Sequence, residues 1–148
     1  MSTLDKAIVL AKKLHEGQTD LGGNPYIHHV LWVMNHVEGT STKICAVLHD
    51  VIEDTQITPQ NLLDAGFSLE IIHALGLLTK AEAESRISYI LKIAFGPKMA
   101  LNVKIADLTH NIDITRIPKP EKWHLKRIAM YKREKFFLTT MRTLRLGF

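Results

Sequence analysis

Three short stretches of this chain carry side chains that apolar helices do not ordinarily hold. AVLHDVIEDT at 46–55 places His49, Asp50, Glu53 and Asp54 within six positions among Ala, Val, Leu and Ile; NPYIHH at 24–29 ends in His28 and His29; VKIADLTHNID at 103–113 contains Asp107, His110 and Asn111. Imidazoles and carboxylates are the donors that share a divalent cation, and they are also the groups that move protons near neutral pH. On one continuous helix at about 100° per residue, with His49 at zero, Glu53 falls near 40°, Asp50 near 100° and Asp54 near 140°. Ile44, Cys45, Leu48, Val51 and Ile52 occupy the opposite arc. Carboxylates this close repel one another, and near a core they lose several kcal/mol of hydration unless something positive replaces the water. A divalent cation would do so. The alternative is a wet acidic face, with Glu53 and Asp54 in solvent at a helix C-terminus, where the macrodipole disfavours them by a few tenths of a kcal/mol. Four donors on one arc cannot all reach one ion, so other ligands must come from the remaining stretches. In the third of these, Asp107, His110 and Asn111 fall at i, i+3 and i+4 on one side of an apolar helix. One such histidine is ordinarily a hydrogen-bonded core residue; three polar insertions together are harder to explain that way.

The elements that must position these side chains all have helical spacing. Leu4, Ile8, Ala11 and Leu14 mark a first helix, and HEGQTDLGGNP then breaks the pattern with three glycines and a proline. A second helix is expected from about Tyr26 to Val37, and a third after Gly39, capped by Thr40 or Ser41 and carrying the 46–55 segment. Thr58-Pro59 opens another that Gly66 closes, and Leu69 to Lys80 follows with Ile71, Ile72, Leu75 and Leu78 as its buried stripe. Residues 85–95, 98–113 and about 121–146 complete the set, with turns at Gly96-Pro97 and Pro118 to Pro120. No stretch shows sustained strand alternation. The fold class expected is all-α, with residues 1–148 as a single compact helical domain.

Composition narrows the function classes. Hydrophobic residues make up 46% and charged residues 23%, an ordinary globular balance rather than that of a disordered or fibrous chain. No apolar run approaches the roughly 18 residues that span a bilayer, and the N-terminus lacks a signal-peptide core, so a soluble cytoplasmic protein is expected. The single Cys45 reads as a small buried hydrophobe. Residues 116–148 hold ten Lys or Arg against two Glu, whereas 1–115 hold nine against thirteen acids. That basic end is either the solvated face of a terminal helix or a complement to phosphate; without a zinc-finger pattern or an aromatic-rich basic strand it is weak grounds for nucleic-acid binding.

Taken in order, HEGQ, PYIxH, LHDxxED and KxADxxxN resemble the HD-domain metal-dependent phosphohydrolases, and among them the Rel/Spo-type alarmone (ppGpp) pyrophosphohydrolases and their short stand-alone relatives. The likeness runs from about His15 to Tyr131. It implies metal ligands at His29, His49, Asp50 and Asp107, holding Mn²⁺ or a similar first-row divalent ion. Glu53 and Asp54 match the catalytic acidic pair that readies a water. Lys104, Asn111, Tyr26, Arg127 and Tyr131 match positions near the substrate, and the activity implied is hydrolysis of the 3′-pyrophosphate of a guanosine polyphosphate. A regulatory metal- or nucleotide-binding module without turnover is the competing reading.

The pattern departs in three places. The loop arginine of GQxR is Asp20, the proline after PYIxH is Val30, and the arginine after the KxAD aspartate is Leu108. An acid at position 20 is expected to repel a polyphosphate, although it could accept hydrogen bonds from a base or ribose. None of the three touches an implied metal ligand, so retained chemistry with altered specificity is expected. With 148 residues, a synthetase domain like that of the long bifunctional enzymes is not expected, and any activity is expected to be hydrolytic only.

Overall fold

A computed structural model describes residues 3–146. Helices α1 (Thr3–Leu14), α2 (Ile27–Asn35), α3 (Thr40–Leu48), α4 (Val51–Asp54), α5 (Pro59–Asp64), α6 (Leu69–Leu78), α7 (Arg86–Ala94), α8 (Lys98–Asn111) and α9 (Lys122–Leu146) follow in order, with a 3-10 turn at Ile114–Arg116 before the last. Among the described residues there is no strand, only an isolated bridge between Thr19 and Pro25. The all-α expectation holds, and among the described residues no helix is long and apolar enough to cross a membrane.

Two helices form the centre. α3 packs against α1, α2, α6 and α8, and α8 also touches α2, α6, α7 and α9. Their sequences explain the position: Ile44 to Leu48 are buried without interruption, and in α8 every residue from Met99 to Leu108 is buried except Asn102. A helix apolar nearly all round belongs inside a fold, surrounded by helices that bury only one stripe. α1 is of the second kind, with Ala7 and Ala11 fully covered and its lysines outside. The flanking helices begin where sequence places caps. Thr58 and Asn61 form a reciprocal capping box ahead of Pro59, and Ser68 and Ser85 accept from Ile71 N and Ser88 N. Gly66, at φ +94°, ends α5 in a conformation that favours glycine.

Two expectations fail at the segment that matters most. Neither Thr40 nor Ser41 caps α3: its N-cap is Gly39, at φ +88°, and no side chain bonds there. Nor does one helix run through 46–55. α3 stops at Leu48, His49 and Asp50 form a turn, and α4 starts at Val51. The cause is local. The Ala46 carbonyl, which would accept the Asp50 N–H in a continued helix, instead accepts from the His49 backbone at 3.3 Å and from His49 Nδ1 at 2.6 Å. Glu53 and Asp54 therefore stand in the first turn of a new helix rather than at the end of an old one, and the dipole argument against them does not apply.

Leu108, adjacent to Asp107, is wholly enclosed. Leu108→Ala should lower the free energy of unfolding by about 2–5 kcal/mol, seen as a lower urea midpoint with an unchanged slope.

Candidate metal centre and its adjoining cavity

Four side chains from three distant segments converge. His29 on α2, His49 and Asp50 in the α3–α4 turn, and Asp107 on α8 each offer one ligand atom, and those atoms lie within 4.8 Å of one another. His29 Nε2 is 2.9 Å from Asp107 Oδ1 and 3.9 Å from Asp50 Oδ2. His49 Nε2 is 3.0 Å from Asp50 Oδ2 and 3.3 Å from Asp107 Oδ1. Breaking the helix at His49 is what lets adjacent residues 49 and 50 aim at one point, which an unbroken helix would separate by about 100°.

The donor set fits a divalent cation on its own geometry. His49 Nδ1 donates to the Ala46 carbonyl, so its Nε2 is free to present a lone pair toward two carboxylates. His29 likewise spends Nδ1 on His110 Nδ1, at 2.7 Å. A partner at the far nitrogen is the usual support of a metal-bound imidazole, and at His49, where the partner is a carbonyl that can only accept, it also sets the tautomer. Without a metal the same cluster draws protons. Burial alone would depress His49, but Asp50 and Asp107 outweigh it and hold the imidazole well above its usual value. Burial would raise Asp50, yet His49 brings it down to about 2. Asp107 is also held well below the carboxylate range: burial opposes this, and Lys104, His29 and His49 overcome it. A lone positive centre is what these groups have in common.

Lys104 and Asn111 complete the Asp107 environment. Lys104, 7% exposed, donates to Asp107 Oδ2 at 2.8 Å, and Asn111 Nδ2 donates to Oδ1 at 3.0 Å. The lysine thus meets the carboxylate inside the protein rather than in the opening. Tyr26 donates to Asp50 Oδ2 at 2.6 Å, and its hydroxyl is pushed up by burial and by Asp50. Glu53 and Asp54 are both exposed, and both are raised, first by burial and then by Asp50.

Beside the cluster opens a cavity of 310 Å³, within the range of small-molecule sites. Its walls include Tyr26, Asn111, Arg127 and Tyr131, all singled out by sequence, but also Asp20 and Arg116. Arg116 escaped sequence reading because it lies outside every motif. So did the partner role of His110, which stacks on His29 at 5.0 Å and on Trp32 at 4.4 Å; its placement one turn beyond Asp107 was the available signal. Burial, followed by Arg116 and His29, lowers His110 to about 4. In HEGQ, His15 Nδ1 bonds Gln18 Oε1, and Gln18 Nε2 reaches the Asp54 carbonyl, which ties the glycine-rich loop to α4.

The departures have structural reasons. Val30 and Leu108 are completely buried and face the core. Asp20 lines the cavity with its carboxylate already engaged: Oδ1 accepts from Gly22 N and Asn24 N, each at 2.9 Å, and Oδ2 accepts from Arg116 Nη2 at 3.2 Å. Its charge is met by Arg116, which weakens the repulsion expected of an acid at this position.

No family model matches the chain. In sequence it is similar to the bifunctional (p)ppGpp synthase/hydrolase RelA of Mycobacterium tuberculosis, with 34% identity over 134 residues, covering 82% of this chain and 18% of that protein. It is 32% identical over 133 residues to SpoT of Escherichia coli, covering 80% and 19%. With the guanosine-3′,5′-bis(diphosphate) 3′-pyrophosphohydrolase of Haemophilus influenzae it shares 33% over 129 residues, 77% of this chain and 19% of that protein. The chain thus spans under a fifth of the length of these curated relatives. Among solved structures, a metazoan SpoT ortholog that hydrolyses ppGpp superposes with a TM-score of 0.76 at 18% identity, over 93% of this chain and 86% of that one. The fold is all-helical, and His29, His49, Asp50 and Asp107 form a candidate site for a divalent metal ion. The chain's relatives in sequence are the Rel/SpoT proteins, and its fold is that of a SpoT-type hydrolase.

Asp107→Ala would leave Lys104 buried without its counter-charge, a loss of about 3–5 kcal/mol in stability. The measurement is chemical denaturation in chelator. Divalent ions should raise the melting temperature of the parent and leave that of this variant unchanged.

Proposed function

We propose that this chain, one helical domain over residues 1–148, is a metal-dependent phosphohydrolase of a phosphorylated nucleotide in the cytoplasm. The reaction best supported is hydrolysis of the 3′-pyrophosphate of ppGpp, in which one water yields GDP and pyrophosphate. The observation that carries the reading is the pairing of a two-histidine, two-aspartate cluster with an adjoining cavity of 310 Å³, to whose wall it is joined through Tyr26 and Asn111. Relatives named as ppGpp hydrolases supply the substrate.

His29, His49, Asp50 and Asp107 would hold the ion, and the mixed nitrogen and oxygen set suits Mn²⁺. When bound, such an ion supplies Lewis acidity toward a phosphoryl oxygen and makes a neighbouring water more acidic. Glu53 and Asp54, on the exposed turn that follows Asp50, orient that water and take its proton. Their raised affinity for protons, set by burial and by Asp50, suits a base working near neutral pH. Lys104 acts through Asp107: its ammonium holds one oxygen of the ligand and balances its charge. Tyr26 and Asn111 position Asp50 and Asp107 in the same way while lining the cavity. Arg127 and Tyr131, on α9, form the wall that receives the nucleotide.

With Mn²⁺ the protein should convert ppGpp to GDP and pyrophosphate, as read by chromatography of both products. Glu53→Gln and Asp54→Asn should each reduce kcat by about 100-fold or more while keeping the metal-induced rise in melting temperature. Metal binding without turnover of ppGpp or of any other nucleotide polyphosphate would overturn the enzymatic reading in favour of a binding module.

A further inference from the structure

Arg116 is held more firmly than any other cation on the cavity wall. Its Nη1 donates to the His110 carbonyl at 3.0 Å and to Asn111 Oδ1 at 3.1 Å, and Nη2 donates to Asp20 Oδ2 at 3.2 Å. Asp20 is itself fixed by the two backbone N–H groups of its own turn. The turn in its place leans on the arginine's main chain: a Cβ on Gly22 would fall 2.0 Å from the Arg116 carbonyl oxygen. The 20–24 turn and Arg116, ninety-six positions apart, are therefore one unit, and both line the cavity. Of the guanidinium's five N–H groups, the bonds among described residues use three. Nε–H and one Nη2–H remain, two donors on a planar frame that cannot rotate away.

Charge decides what those donors suit. With the Asp20 carboxylate against it, Arg116 adds little net positive potential, so it is a poor reason for a polyphosphate to settle there. A neutral edge with two adjacent acceptors needs directed donors and no net field. Leu21, Ile117 and Tyr131 supply apolar and aromatic surface for the faces of a planar ring. A purine with a 6-oxo group presents O6 and N7 as such a pair, whereas adenine presents N7 beside an amino donor that would meet an N–H head-on.

We propose that Arg116 is the base-reading residue of this site, selecting 6-oxopurine nucleotides over adenine nucleotides, with Asp20 as the residue that positions it. The inference rests on the phosphohydrolase reading above and assigns its specificity. Arg116 contacts the base; Asp20 acts only through the arginine.

The test compares guanosine, inosine and adenosine 3′,5′-bis(diphosphates) as substrates with Mn²⁺, and GDP, IDP and ADP as ligands by calorimetry in chelator. The parent should favour guanosine and inosine alike over adenosine, by about tenfold or more in kcat/KM and in Kd. Arg116→Lys keeps the charge and loses the fork, and Asp20→Asn loosens it; each should bring the ratio toward one. Both variants are first checked for a parent-like unfolding midpoint, and either suffices if the other does not fold. A parent indifferent to the base, inosine behaving like adenosine, or variants that weaken all three bases equally would overturn the inference, the last by making Arg116 a phosphate contact. Absence of turnover on all three with a preserved GDP-to-ADP ratio would sink the phosphohydrolase reading and leave the base assignment standing.

Discussion

The Asp107 carboxylate is the hinge of this structure. It is buried on the most enclosed helix of the fold, and an isolated ionised carboxylate in that setting would cost several kcal/mol of lost hydration. The protein meets that cost with one ammonium, two imidazoles and one amide, drawn from α2, the α3–α4 turn and its own helix. Every one of these partners has a second bond that fixes its direction or a place in the packed core. The cluster is a consequence of satisfying one buried charge, and its two carboxylates and two imidazoles suit a shared cation.

The break between α3 and α4 shows how local chemistry shapes the site. His49 takes a backbone carbonyl for its Nδ1, which interrupts the helix and turns Asp50 toward the same centre. The same bond selects the tautomer that leaves Nε2 available. Chain direction and electronic state are thus set by one interaction. The restart of the helix at Val51 then carries Glu53 and Asp54 out to the exposed side, where a water and a substrate have access.

The adjoining cavity follows a different rule. Asn111, Arg127 and Tyr131 come to it from α8 and α9, but Asp20 and Arg116 sit on a loop and a 3-10 turn, held by bonds to backbone and to each other. Loops positioned by a rigid scaffold are where recognition commonly varies while chemistry persists. Here the candidate metal ligands lie on core helices and on the turn between α3 and α4, whereas Asp20 and Arg116 lie on separate outer turns, so the two sets can change independently. Asp20, an acid at the edge of a site for an anionic ligand, makes sense only once its partner is seen.

Sequence alone determined the helical class and most boundaries, because alternation at 3.6 residues, Thr and Ser caps and Gly or Pro stops are local properties of the chain. It also flagged the three stretches that hold His28 and His29, His49 to Asp54, and Asp107 to Asn111, since polar groups within strongly apolar helices stand out without coordinates; narrowing these to His29, His49, Asp50 and Asp107 took the resemblance to the HD-domain phosphohydrolases. Capping at Thr40 and Ser41 and the continuous third helix were misread, because a side chain reaching back to Ala46 has no periodic signature. Only the tertiary structure decided that Lys104 faces Asp107, that His110 supports His29, and that Arg116 meets Asp20 across ninety-six residues. Those pairings depend on which helix faces come together, and packing of the whole core, not spacing along the chain, sets that.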